Sequence, residues 1–228
     1  MKQQQDRLNH AASTLVKELV NGAVDLHRAQ VQAQIDGIPQ VKLGRENISG
    51  CQVVLDRAEL LDRMPSGGVV AELGVDQGAF SAEILARTAP TCLHLVDIWG
   101  DARYNETKAQ GVKARFAPQI QSGQVQITRG LSTEAVHQFA DESFDWIYID
   151  TDHSYATTLA ELQLWAPKVK PNGIIAGHDY SMGNFATGYK YGVIEAVSEF
   201  CVKHRWRLSY LTAEYFEGNS FAISRIMN

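Results

Sequence analysis

Two acids and a histidine crowd into Asp150-Thr151-Asp152-His153, directly after the apolar run Phe144-Asp145-Trp146-Ile147-Tyr148-Ile149. A second histidine and acid, His178 and Asp179, follow Gly173-Ile174-Ile175-Ala176-Gly177. If each run is a strand of a parallel sheet, both clusters stand at carboxyl ends, where such sheets hold their ligands. Adjacent strands lie about 4.8 Å apart, so Asp150 and Asp179 would converge. Converging carboxylates repel each other unless a cation neutralises them. A hard divalent ion, Mg²⁺, Mn²⁺ or Ca²⁺, would do so and leave positions open for substrate and water. Structural work is the alternative for their neighbours. Asp152 or Ser154 would cap the following helix, and His178 would hydrogen-bond its loop.

A third constellation comes earlier. Glu72-Leu73-Gly74-Val75-Asp76-Gln77-Gly78 ends another apolar run, Val69-Val70-Ala71-Glu72-Leu73. Gly74 and Gly78 permit a tight strand-to-helix turn and close approach of a ligand to the backbone. The spacing is GxxxG, so the middle glycine of the dinucleotide fingerprint is missing and Asp76 stands near its place. An acid there repels a pyrophosphate and suits a cationic, phosphate-free ligand. Asp97 follows Glu72 by 25 residues, at the end of Cys92-Leu93-His94-Leu95-Val96. That separation is close to the roughly 20 residues expected for a ribose-binding carboxylate, whose two oxygens match two hydroxyls. Glycine turn and acids together predict nucleoside binding.

These sites need a scaffold. Short apolar runs at 69–73, 92–96, 125–128, 144–149 and 173–176 alternate with helical patterns at 80–87, 112–120, 132–139, 157–169 and 191–204. Such alternation predicts a parallel sheet covered on both faces. Trp206 to Leu211 and Ser220 to Ile226 are two strands joined without a helix, and are therefore antiparallel. The expectation is an α/β, Rossmann-like, doubly wound, mainly parallel seven-stranded sheet with one antiparallel strand near the C-terminus. Upstream, 1–34 has the apolar spacing of an amphipathic helix, closed by Asp36-Gly37-Ile38-Pro39. A second helix is expected from Cys51 to Arg63. The chain then divides into an N-terminal helical extension, 1–65, and a sheet domain, 66–228.

Composition narrows the class. The chain has 228 residues, 45% of them hydrophobic, and a formal charge of −5. That charge offers no basic field for nucleic acid or for an anionic membrane surface. Cys51, Cys92 and Cys201 are far apart, which argues against a zinc cluster or a disulfide framework. No apolar run reaches the roughly 18 residues of a membrane span, and no signal peptide is evident, so a cytoplasmic protein is expected.

The motifs carry a resemblance. Glu72-x-Gly74-x-x-x-Gly78 looks like the first motif of the class I S-adenosylmethionine-dependent methyltransferases. Enzymes similar to the catechol and caffeoyl-coenzyme A O-methyltransferases share the departure at Asp76. Asp-x-Asp-His-Ser-Tyr followed by Pro-x-Gly-Ile-Ile-Ala-Gly-His-Asp-Tyr is similar to a bacterial family that includes antibiotic-sugar O-methyltransferases. The resemblance covers about Val69 to Ile226.

It implies that Glu72 and the turn Gly74, Val75, Asp76 and Gly78 hold the methionine end of S-adenosylmethionine. Phe80, Ser81 and Ile98 would belong to the same pocket, with Asp150 at its edge. Asp97 would bind the ribose, and Gly130-Leu131-Ser132 would frame adenine. Asp150 and Asp179 fall at the metal-ligand positions. Tyr180 replaces the asparagine that is the third ligand of catechol-type enzymes, and His178 stands where the antibiotic-sugar enzymes carry an acid. As a softer ligand, His178 suits Mn²⁺ better than Mg²⁺. His153 falls where catechol-type enzymes keep a catalytic lysine. An imidazole of ordinary pKa near 6.5 can take a hydroxyl proton there, with Asp150 as the other catalytic residue; the alternative is a histidine at the helix start bonded to Asp179 or to the backbone.

Trp99, Tyr104, Phe185, Tyr189 and Tyr191 lie in or near loops at the same end, and Asn184 to Lys190 has the composition of a lid. The expected reaction is methyl transfer to the hydroxyl of a small molecule. The N-terminal helix would serve as a lid or as a homodimer contact. Two other classes remain: an NAD(P)-type Rossmann oxidoreductase, against which the absent GxGxxG counts, and a non-catalytic nucleoside-binding module.

Overall fold

Val69–Leu73 (β2), Cys92–Asp97 (β3), Val125–Arg129 (β4), Phe144–Ile149 (β5) and Val169–Gly177 (β6) are the apolar runs of the sequence, and each forms a strand in the computed structural model. That structure describes residues 2–184, 188–214 and 218–227. Three further strands complete the sheet. Gln52–Val54 (β1) precedes the series, and Trp206–Thr212 and Phe221–Arg225 close it. A small hairpin of Gly183–Asn184 (β7) and Tyr189–Lys190 (β8) stands apart, so the closing strands are β9 and β10.

The sheet has eight strands in the order β1-β9-β10-β6-β5-β2-β3-β4. All neighbouring pairs are parallel except those of β10, which is antiparallel to both β6 and β9. The expected class holds, with one more strand than the seven expected. The extra strand is β1, which lies inside the segment read as a helix from Cys51. Val53 and Val54 favour extended backbone, and β1 runs parallel to Tyr210–Thr212. The helix starts only at Arg57–Asp62 (α3), where the Asp56 carboxylate accepts the Glu59 N–H at 2.8 Å.

Helices cover both faces. On one side Leu60 and Leu61 of α3 and Ile84 of Ala79–Thr88 (α4) pack with Val70, Leu93, Leu95, Trp146 and Tyr148. On the other, Leu162 and Trp165 of Tyr155–Trp165 (α8) and Phe200 of Val193–His204 (α9) pack with Ala71, Leu73, Val96, Ile147 and Ile149. Alternate residues of one strand thus feed opposite layers, as the period of two requires. The weak helical pattern at 112–120 resolves into Glu106–Arg115 and Ala117–Ser122.

Residues 1–39 and 40–228 form two compact units. The division expected after residue 65 therefore moves upstream, because β1 extends the sheet and α3 buries its leucines in the core. Within the first unit, Lys2–Asp36 (α1) is one helix of 35 residues, on which Leu15, Leu19 and Leu26 are exposed. Within the second, Asn47 stitches the leading segment down. Its Nδ2 donates to the carbonyls of Trp206 at 2.8 Å and Cys201 at 3.3 Å, and its Oδ1 accepts the Gly44 N–H at 2.9 Å. No helix among the described residues is long and apolar enough to cross a membrane.

Candidate active site

Register brings the motifs together. Leu73 pairs with Ile149, and Ile149 with Gly177, so β2, β5 and β6 end level. The chain order reverses between β2 and β5, the place where open α/β sheets open a crevice. Gly74, Asp150 and His178 are the first residues past these ends. Asp150 N–H donates to the Leu73 carbonyl at 2.8 Å, and His178 N–H to that of Ile149 at 3.0 Å. A Cβ on Gly74 would collide with the Asp150 carbonyl, and its φ of 85° is left-handed, so only glycine serves there.

A cavity of about 980 Å³ opens over these ends. Glu72, Gly74, Val75, Asp76, Phe80, Asp97, Ile98, Gly130, Leu131, Ser132, Asp150, His153 and Asp179 all line it. Gly78, Ser81 and His178 do not line it. Gly78 shapes the turn behind the wall, with φ 70° and the Phe116 ring where a Cβ would stand. Ser81 is fully buried and donates its hydroxyl hydrogen to Glu72. Burial pushes the Glu72 carboxyl up to about 8, although the Ser81 hydrogen bond opposes the shift.

Asp76 has φ 52°, the left-handed backbone that a glycine would adopt without strain and that aspartate tolerates. Its carboxylate pairs with Lys108, so the charge that repels phosphate is itself balanced. Asp97 is more committed than its position suggests. Its Oδ2 accepts from the backbone of Val75 at 2.8 Å and Asp76 at 3.0 Å, and its Oδ1 from Trp99 at 2.9 Å. Of the four acceptor positions of a carboxylate, two hold the glycine turn, one holds the loop at Trp99, and one is left for a ligand hydroxyl.

His153 stands between the two strand-end acids. Its Nε2 is 3.1 Å from Asp150 Oδ1 and 3.0 Å from Asp179 Oδ2. Burial favours the neutral imidazole. The hydrogen bond to Asp150 and the charges of Asp179 and Asp150 outweigh it and hold the pKa above the ordinary value. Asp179 shifts the other way. Burial would raise it, but His178 and His153 outweigh burial and keep it below the usual carboxylate range. Asp150, His153 and Asp179 each present a ligand atom within 4.8 Å of the others. That donor set of two carboxylates and one imidazole fits a divalent cation. His178, expected as the third ligand, lies behind the acids instead. Its Nδ1 is 3.6 Å from Asp179 and 3.9 Å from Asp150, and its buried Nε2 has no partner among the described residues.

The loop after β5 also settles the cap. Ser154 is the N-cap of α8 and accepts the Thr157 N–H at 3.2 Å, while Asp152 accepts from Ser154 N–H and the Thr157 hydroxyl, both at 2.8 Å. Tyr104, Tyr189 and Tyr191 line the cavity, and Tyr191 lies 5.0 Å from the His153 ring. Trp99 is buried outside it and donates its indole N–H to the Asp76 carbonyl at 2.9 Å. Phe185 and residues 185–187 of the expected lid fall outside the described residues.

The cavity is also lined by residues whose sequence context does not mark them, among them Arg57, Thr151 and Glu161. Arg57 opens α3, inside the segment assigned to the N-terminal extension, and its guanidinium lies 5.0 Å over the Phe80 ring. Phe80 in turn packs on Tyr148 at 4.3 Å. Glu161 sits mid-helix in α8, where one acid among apolar residues has no spacing partner to mark it.

Residues 71–180 match the model of a family described as a methyltransferase domain. A curated protein of Sinorhizobium fredii named y4gI, itself uncharacterized, is 28% identical over 118 residues, which are 48% of this chain and 13% of that protein. The chain therefore spans a small part of that relative's length. Among solved structures, the pyocyanin biosynthetic protein PhzM aligns with a TM-score of 0.58 at 12% identity, over 75% of this chain and 55% of that one. An O-methyltransferase family protein from Burkholderia thailandensis gives 0.55 at 10% identity, over 74% and 55%. The B. subtilis tRNA methyltransferase TrmK gives 0.54 at 14% identity, over 76% and 67%. At these identities the structures share the fold.

Proposed function

We propose that this chain is a class I S-adenosylmethionine-dependent methyltransferase that transfers methyl to a hydroxyl oxygen of a small molecule, with His153 as the base; the methyltransferase-domain match over residues 71–180 supports the reading. S-adenosylmethionine supplies a methyl group on a cationic sulfur, which an oxygen nucleophile displaces in line. Glu72, the Gly74 turn and Asp97 line the cavity and bind the donor. Tyr104, Tyr189 and Tyr191 line it too, and Tyr191 lies 5.0 Å from the His153 ring.

One observation carries the reading: the His153 imidazole is held by Asp150 and Asp179 at 3.1 and 3.0 Å. Two carboxylates orient the ring and stabilise its protonated form, which is what a base needs as it takes a proton. Its backbone is left-handed, φ 62°, as is that of Asp179, φ 55°. Each such residue costs on the order of 1 kcal/mol or more, and such strain gathers at functional sites.

The cluster of Asp150, His153 and Asp179 favours a second reading, in which the same atoms hold Mg²⁺ or Mn²⁺. Such a cation supplies Lewis acidity that lowers the pKa of a bound hydroxyl. Asp150 and Asp179 would then be ligands, and His153 either the third ligand or the base beside it.

Calorimetry with S-adenosylhomocysteine tests the core of the proposal. Binding that is lost in Gly74→Val supports it, and no binding to wild-type protein overturns it. A panel of phenols, sugars and polyketide-like alcohols, assayed for methyl transfer with and without EDTA, then separates the two readings.

A further inference from the structure

Lys190 and Glu195 form an ion pair at 2.8 Å whose side chains are only 4% and 8% exposed. Lys190 ends β8 of the small hairpin, and Glu195 lies in the first turn of α9. The same ammonium donates to the Tyr191 carbonyl. Glu195 Oε2 is buried and has no hydrogen-bond partner among the described residues, so the carboxylate is committed to this lysine. A pair taken out of water adds little to stability, because desolvation of both charges offsets their attraction. Its attested use is to fix one geometry among alternatives.

The residues between the two partners show what is fixed. Tyr191 follows Lys190 directly, lines the cavity, and stands 5.0 Å ring to ring from His153. Its N–H donates to the Met182 carbonyl at 3.2 Å, across the foot of the hairpin. Tyr189, which also lines the cavity, is 5.8 Å from the Tyr191 ring. Gly192 N–H donates to the His153 carbonyl at 2.8 Å. A Cβ on Gly192 would collide with the Tyr155 backbone, although its φ of −117° suits any residue, so the glycine serves close approach. The segment 190–195 is thus pressed against the loop that carries His153, and the buried pair joins its two ends.

We infer that Lys190 and Glu195 are positioning residues: their buried pair clasps the hairpin to α9 and so holds Tyr191 beside the His153 ring before any acceptor binds. The inference deepens the function proposed above and rests on His153 as the base. Neither residue lines the cavity, so both act through Tyr191 and His153. Methyl transfer needs the acceptor oxygen aligned with the breaking bond, and a wall already in place removes the cost of ordering it at that moment.

Nuclear Overhauser contacts between the Tyr191 and His153 rings read this geometry with neither cofactor nor acceptor present. The full chain is labelled at tyrosine and histidine, and Tyr191→Phe and His153→Gln assign the two signals. Wild type is expected to show the contact. The double variant Lys190→Met with Glu195→Leu replaces the pair by apolar side chains of similar size and strands neither charge, so it is expected to fold. It should lose the ring contact and keep its affinity for S-adenosylhomocysteine. Its methyl transfer to any compound that wild type methylates should fall by about 10²-fold. A merely structural pair would leave the contact intact in the folded double variant. A thermal melt checks folding, and if the double variant fails to fold, Glu195→Gln carries the test, with a weakened contact expected. No contact in wild type, or an undiminished contact in a folded variant, overturns the inference. So does a lost contact with unchanged methyl transfer, or one accompanied by loss of S-adenosylhomocysteine binding. Failure of the proposed function looks different: wild type does not bind S-adenosylhomocysteine, or His153→Gln keeps full activity, while the wild-type ring contact stands.

Discussion

The Asp179 carboxylate lies 3.0 Å from the His153 imidazole, and each of these residues holds a left-handed backbone. The two come from different strand ends, so the contact exists only because β5 and β6 pair level at Ile149 and Gly177. It gives the imidazole a second acid beyond its local neighbour Asp150.

Replacing His153 therefore tests the base directly. His153→Gln is expected to lower kcat by about 10²- to 10⁴-fold with little change in the affinity for S-adenosylhomocysteine. Because the pKa is raised, the ring is protonated and inactive as a base below it. Wild-type activity should rise with pH through a value above 6.5, and that limb should vanish in the variant. A pH–rate profile of both proteins checks this.

Asp179→Asn separates the metal-free and metal-assisted readings. With His153 as an unassisted base, the variant lowers the imidazole pKa by removing a raising charge, and EDTA changes nothing. With a divalent cation, activity is lost on chelation, and Mn²⁺ restores wild type but not the variant. Electron paramagnetic resonance of added Mn²⁺ reads the binding independently of turnover.

Glu72 predicts a proton released on cofactor binding. Its carboxyl is mostly protonated at neutral pH, because burial holds its pKa near 8. A cationic ligand group placed beside it favours the ionised form. The affinity for S-adenosylmethionine should rise as pH approaches about 8 and level off above it. Calorimetry in buffers of different ionisation heat measures the proton, and Glu72→Gln should abolish it. The sign for stability is the reverse. A carboxyl whose folded pKa is raised stabilises the fold most below about 4.5, and that contribution is lost as pH rises through about 8.

Gly74→Ala should destabilise the protein and abolish cofactor binding together. The added Cβ meets the Asp150 carbonyl, which is fixed by its own strand, and the left-handed φ adds strain. The expected loss is about 2 kcal/mol or more, read from urea unfolding.

Asn47→Ala should cost stability without touching the site. It strands the buried carbonyls of Trp206 and Cys201 and the Gly44 N–H. A loss of about 2–3 kcal/mol by urea unfolding, with unchanged affinity for S-adenosylhomocysteine, is expected.

Local chemistry made much of the molecule legible before any fold was known. Apolar runs of strand length and the glycine turn are properties of a few neighbouring residues, so β2 through β6 and Gly74 were readable where they stand. Asp150, Asp152 and His153 were readable because they cluster within four positions. β1 was not readable, since Val53 and Val54 become a strand only by pairing with β9. The eighth strand and the shift of 40–65 into the sheet unit follow from that pairing. Likewise His178 and His153 each stand beside strand-end acids in the sequence. Only the register of β5 and β6, with the left-handed turn at His153, decided that His153 faces the cavity and His178 lies behind. Arg57 and Glu161 reach the same cavity from helices whose own patterns gave no sign of it. A side chain's identity is local, but its neighbours across a sheet are set by long-range pairing, and no window of sequence contains that information.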